Sequence, residues 1–76
     1  MKLSKLKVGE SAIVTKLDFF GVKLKEFNEI GLTKGVKLRL IRKASFDGPY
    51  ELFLRGFHLA IRKIDAQKIE VDKVNG

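Results

Sequence analysis

The clearest alternation of apolar and polar positions runs from Val36 to about Lys43, with Val36, Leu38 and Leu40 on one side and Lys37, Arg39 and Ile41 on the other. A period of two marks a strand with one face on a core. The same period sets Tyr50, Leu52 and Leu54 against Glu51, Phe53 and Arg55, then Phe57, Leu59 and Ile61 against His58, Ala60 and Arg62. These stretches predict strands two, three and four, with a break at Gly56 and a turn in SFDGP, which holds the only proline. Strand one is predicted from Ser11 to Leu17 with an imperfect period, Ile13, Thr15 and Leu17 on one face and Val14 opposite. One helical turn in IDAQK precedes a short last strand from Ile69 to Asp72. The opening KLSKLKVGE predicts a turn with Leu3 and Leu6 inward, closed by Gly9.

Between strands one and two the period lengthens. Leu24, Phe27 and Ile30 recur every three residues, with Phe20 four before the first, so a short helix carries an apolar face that must lie on the sheet. Lys25, Glu26, Asn28 and Glu29 cover the remainder, and Asp18 is the candidate cap. Gly31 then fits the left-handed position that ends a helix, and Leu32 after it is expected to pack back on Phe27 in a Schellman ending. Leu6-Lys7-Val8-Gly9 and Leu32-Thr33-Lys34-Gly35 each place a glycine three residues after a leucine and predict similar turns. Five short strands and one helix predict a mainly β fold, a small SH3-like, partly closed barrel with the helix between strands one and two. Residues 1–76 are read as a single domain.

Composition narrows the chemistry. Cys 0 leaves no disulfide and fits a reducing compartment, and no apolar run reaches the length of a membrane span, so a cytoplasmic protein without direct membrane insertion is expected. One histidine, and serines at 4, 11 and 45 without a neighbouring base, show no nucleophile and base pair, so a non-enzyme is expected. His58 is the weak candidate for a divalent transition metal such as Fe²⁺, because it has no His or Cys partner in the chain. The net charge of +7 favours an anionic partner. Lys34, Lys37, Arg39, Arg42 and Lys43, with Arg55, Arg62 and Lys63 on neighbouring elements, outline a basic sheet face. Such a face on strands two to four gives one alternative reading, a nucleic-acid-binding module with Phe53 as stacking aromatic and Phe46 and Tyr50 at the turn, and a weak transition-metal-binding sensor domain is the other. Exposed Phe46 and Phe53 equally fit a protein-docking patch.

The order of motifs carries more information than any one of them. KLSKLKVGESAIV, then LKEFNEIGLTKGVKLRLI, a turn with a proline, and LRGFHLAIRKIDAQKIEV together resemble the ferrous iron transport protein A family across nearly the whole chain. EIGLTKG and RGFHLAIRK are the most specific parts. The resemblance implies a small SH3-like barrel acting as a cytoplasmic accessory that docks on the cytosolic part of the membrane-bound ferrous iron transporter, protein B. It implies neither nucleotide hydrolysis nor iron transport by this chain, although family members are commonly labelled as binding transition metals. The same fold resembles the C-terminal domain of iron-dependent repressors, whose DNA-reading helices this chain lacks. Where family members often carry an Arg-Leu pair in the helix, this chain reads Lys25-Glu26-Phe27. The expected partner surface comprises Leu24, Phe27, Ile30, Leu32 and Lys34 at the helix and its exit, with Arg39, Phe46 and Phe53 on the outside of the sheet.

Overall fold

The alternating segments pair into one antiparallel sheet. In the computed structural model, which describes residues 1–75, the strands are β1 (Ser11–Leu17), β2 (Lys37–Lys43), β3 (Tyr50–Leu54), β4 (Phe57–Ile61) and β5 (Ile69–Val74), in the order β4-β3-β2-β1-β5. Helix α1 (Gly21–Glu29) lies between β1 and β2 in the chain, and a single turn, α2 (Lys63–Ala66), separates β4 from β5. Leu38, Leu40, Leu52, Leu54, Ile69 and Val71 line the inside with almost no exposed surface, joined by Leu3 and Leu6 from the opening turn.

Two bulges correct the simple alternation. Ala12 and Val14 are buried in β1, whereas Ile13 and Thr15 are partly exposed, the reverse of the expected faces. The pairing of β1 with β5 shifts register between Val14 and Lys16, and this extra residue returns Leu17 to the core side. In β2 the register shifts between Leu40 and Arg42, so Arg42 pairs with Glu51 and Lys43 pairs with the inward-facing Tyr50. Lys43 therefore leaves the basic outer face: its Nζ donates to the Ser4 carbonyl at 3.1 Å and stands 5.2 Å from the Tyr50 ring centre.

The two leucine-glycine turns are near copies. Glu10 N–H donates to the Lys7 carbonyl and Val36 N–H to the Thr33 carbonyl, at 3.0 and 3.1 Å. Gly9 N–H then donates to Leu40 and Gly35 N–H to Val14, both at 2.7 Å, so the turns extend the β1–β2 ladder at its two ends. Leu6 and Leu32, which open the turns, are both fully buried.

Helix α1 ends as its sequence requires. Gly31 has φ 92°, Gly31 N–H donates to the Asn28 carbonyl at 3.1 Å, and Leu32 N–H donates to Phe27 at 2.9 Å, the bond pair of a Schellman motif. Burying a leucine side chain such as Leu32 is worth about 1.5–3 kcal/mol, enough to set where the chain leaves the helix. The start of the helix differs from expectation. Phe20 holds the N-cap position in extended backbone, Asp18 makes no cap bond, and the Phe20 ring is exposed. Phe19 instead packs on Phe27, with ring centres 4.9 Å apart.

Candidate functional site

Among the expected partner-binding residues the structure separates interior from surface. Phe27 and Leu32 are buried at 7% and 0% exposure, so they position the helix and cannot meet a partner in the folded chain. Leu24 is half-buried on α1, while Ile30 and Lys34 are exposed at the helix exit. Arg39 and Phe53 pair across β2 and β3 on the outer face of the sheet. Phe46 is fully exposed in the β2–β3 connection, at the opposite end of those strands.

Arg55 joins the helix exit to the outer sheet face. With Gly56 it forms the two-residue β3–β4 turn, at φ 50° and 86°, and Leu54 pairs with Phe57 beneath it. A Cβ at Gly31 would lie 3.1 Å from the Arg55 Cδ and 4.0 Å from the Phe57 ring, so glycine serves there in packing as well as in backbone conformation. On its other side Arg55 lines a groove of about 360 Å³ with Ser11, Lys37, Arg39 and Phe53. Ile30, Phe57 and Phe53 are the exposed apolar side chains of this end of the barrel.

The electrostatics of the groove follow from which cations are already occupied. Lys63 is held by Asp47 at 2.6 Å and Arg62 by Asp65 at 3.2 Å, so these two members of the expected basic face are tied up elsewhere. Asp47 is held below the usual aspartate range by the Lys63 hydrogen bond, which raises Lys63 in turn. Among the described residues Lys34, Lys37, Arg39 and Arg55 have no carboxylate within ion-pair distance. Three of these four line the groove around Phe53, and no acidic residue lines it.

One residue gains importance that its local sequence does not reveal. Asp65, inside the predicted IDAQK turn, is buried, and its carboxylate lies 3.3 Å from Lys23 on α1 as well as against Arg62. That buried carboxylate fastens α1 to α2 and has no repeating signal that could announce it. His58 lies edge-on to Phe53 with ring centres 5.1 Å apart, and its Nδ1 is 3.3 Å from Glu51. Among the described residues no third His, Cys, Asp or Glu joins that pair, which falls short of the three or four ligands of a protein-built transition-metal site. Among them, too, no helix is long and apolar enough to cross a membrane.

A model of the FeoA domain matches residues 1–73. The solution structure of FeoA from Chlorobium tepidum is 34% identical, covers 100% of this chain and 72% of that one, and superposes with a TM-score of 0.92. The Stenotrophomonas maltophilia FeoA, an SH3 domain protein solved in complex with zinc, is 25% identical over 95% of this chain and 89% of its own, with a TM-score of 0.77. A Porphyromonas gingivalis protein that fuses Fe(2+) transport protein A to the Fe(2+) transporter FeoB is 28% identical over 99% of this chain, which spans 9% of that relative's length. Motif order, sheet topology and family match agree, and the chain belongs to the FeoA family of ferrous iron transport.

Proposed function

We propose that this chain is a cytoplasmic accessory and regulatory module of ferrous iron uptake, which docks on the cytosolic part of a FeoB-type transporter through the surface centred on Arg55. The observation that carries this reading is the groove around Phe53, where Lys37, Arg39 and Arg55 stand without acidic partners among the described residues and adjoin exposed Phe57 and Ile30. Exposed aromatic anchors ringed by arginine are the composition of binding hot spots. The fused relative supports the choice of partner, since one polypeptide there holds both proteins. Docking acts on the transporter only through a difference in affinity between its states, so the module works by binding one state better.

The test is retention of the transporter's cytosolic domain by the purified chain at low and high salt, beside a nonspecific DNA fragment. Docking through Phe53 and Phe57 predicts retention that survives high salt and falls with Phe53→Ala. DNA retention that disappears with salt, without transporter binding, would transfer the basic groove to nucleic acid, because phosphate neutralisation releases counterions.

A further inference from the structure

The sheet has two terminal strands, and the chain treats them differently. Along β5 the Met1 ammonium donates to the Val71 carbonyl at 2.9 Å, Val71 N–H donates to the Met1 carbonyl at 2.7 Å, and Lys2 bridges Glu70. Along β4, among the described residues, every backbone hydrogen bond belongs to the β3 ladder. Edge strands are ordinarily blunted by lysine, proline, a bulge or a covering segment, since an open row of N–H and C=O groups templates further pairing. Phe57-His58-Leu59-Ala60-Ile61 has no lysine, no proline and no carboxylate, and its pairing with β3 runs without a register shift.

The hairpin geometry tells which groups are open. With left-handed φ at both Arg55 and Gly56, the β3–β4 connection is a two-residue turn, whose flanking pair Leu54 and Phe57 exchanges hydrogen bonds. Such pairs alternate along an antiparallel ladder, so Leu52 with Leu59 and Tyr50 with Ile61 are bonded likewise. Phe53 with His58 and Glu51 with Ala60 are the intervening pairs, and the N–H and C=O groups of His58 and Ala60 point away from β3.

We propose that the free edge of β4 is a strand-addition site, which takes an extended, acidic segment of a protein partner by main-chain bonds to His58 and Ala60. This deepens the docking reading and rests on it for the identity of the partner. Extended peptides join open sheet edges in this way, with main-chain bonds giving affinity and alternate side chains giving specificity. The acidic character follows from the net charge of +7 and from Arg55 at one end of β4, exposed and without a carboxylate partner among the described residues. A second copy of the chain fits less well. Each copy carries a net charge of +7, so two copies repel each other where an acidic segment is attracted.

The test is amide hydrogen exchange of the whole chain by NMR, alone and with a peptide alternating valine and glutamate, beside one alternating valine and lysine. The expected result is slowed exchange at His58 and Ala60 with the glutamate peptide and not with the lysine peptide. Ala60→Pro removes an outward N–H without touching the β3 ladder and should weaken peptide binding about tenfold, while Ala60→Ser keeps it. Unchanged exchange at these two amides, or equal slowing by both peptides, overturns the proposal. So does slowing produced by raising the chain's own concentration, which would assign the edge to a second copy. Run with the transporter's cytosolic domain, binding without slowed exchange at His58 and Ala60 overturns the edge site and leaves docking intact. Peptide protection with no binding of that domain supports the edge site and removes the docking reading.

Discussion

The β5 and β4 sides of this small sheet are secured by different physics. On the β5 side, backbone bonds from Met1 and Lys2 cover the edge at Glu70 and Val71, and Leu3 and Leu6 of the opening turn have no exposed surface. On the β4 side, Ala66 anchors α2 in the core, and ion pairs add to it, the buried Asp65 with Lys23 and Arg62, and the exposed Asp47 with Lys63. Screening by salt acts on the exposed Asp47–Lys63 pair and much less on the buried Asp65 carboxylate. One side therefore has its edge covered at Glu70 and Val71, and the other keeps an open strand beside an unneutralised basic groove. A chain of 76 residues cannot leave both edges open without inviting aggregation, and the capped edge is the one that carries charges of its own, Glu70, Asp72 and Lys73.

The largest effect expected from this contrast is on stability. Leu3→Ala removes a fully buried side chain beneath the cap and should cost about 2–5 kcal/mol in urea or thermal unfolding. Phe57→Ala on the open side removes a ring that is 38% exposed and should cost about 1 kcal/mol or less, while weakening docking. Equal losses from the two substitutions would abolish the distinction between a structural edge and a working one.

How much of this was legible in the sequence depended on how local each cause is. The Schellman ending at Gly31 and the twin turns at Gly9 and Gly35 could be read directly, because a glycine three residues past a leucine, or just past an apolar stripe, acts within a few bonds. Strand positions were legible where alternation is unbroken, as in β3. The bulges in β1 and β2 were not, because an extra residue is visible only against the strand it faces, and each one moved side chains to the other face. Phe19 and Phe20 show the same limit. Spacing placed Phe20 on the helix stripe, but the helix begins at Gly21, and Phe19 reaches Phe27 from outside it. Of the expected partner surface, the exposed part at Ile30, Lys34, Arg39 and Phe53 stands at one end of the barrel, and its link through Arg55 comes from a hairpin far from α1 in the chain. The cap on β5 pairs residues 70 positions apart, and nothing in either segment announces the other.

A smaller effect separates the two ends of the strands. Phe46 and Asp47 both have left-handed backbone, at φ 57° and 61°, although neither is glycine. Such a conformation costs a non-glycine residue about 1–2 kcal/mol, and glycine gives part of that gain back in unfolded-state entropy. Phe46→Gly should accordingly leave stability unchanged or raise it by about half a kcal/mol. Docking should be unaffected, because β2 spans roughly 20 Å between this loop and the Arg55 end. A tenfold loss of transporter binding with intact folding would move the partner surface to the Phe46 end and away from the open edge.

The smallest effect is in acid, and it can be assigned to one side or the other. Asp47 is depressed by its hydrogen bond from Lys63, and Glu10 is depressed by its hydrogen bonds from the Lys73 side chain and the Lys7 backbone. A carboxyl group lowered on folding contributes stability that is fully present above its unfolded value and is lost as pH falls through its folded value. Stability should therefore hold at neutral pH and decline once pH drops below about 4, where free carboxyl groups begin to protonate. Asp47 is exposed and Glu10 is half-buried in a surface pair with Lys73, so the decline from each is small. Glu10 pairs with β5, on the capped side, and Asp47 with α2, beside the open strand. Glu10→Gln and Asp47→Asn should each flatten part of the acid decline, and only Asp47→Asn should also speed exchange at the α2 amides that follow Lys63. If Glu10→Gln loosened α2 as much, the two sides would be one cooperative unit, and the open edge would owe its character to sequence alone.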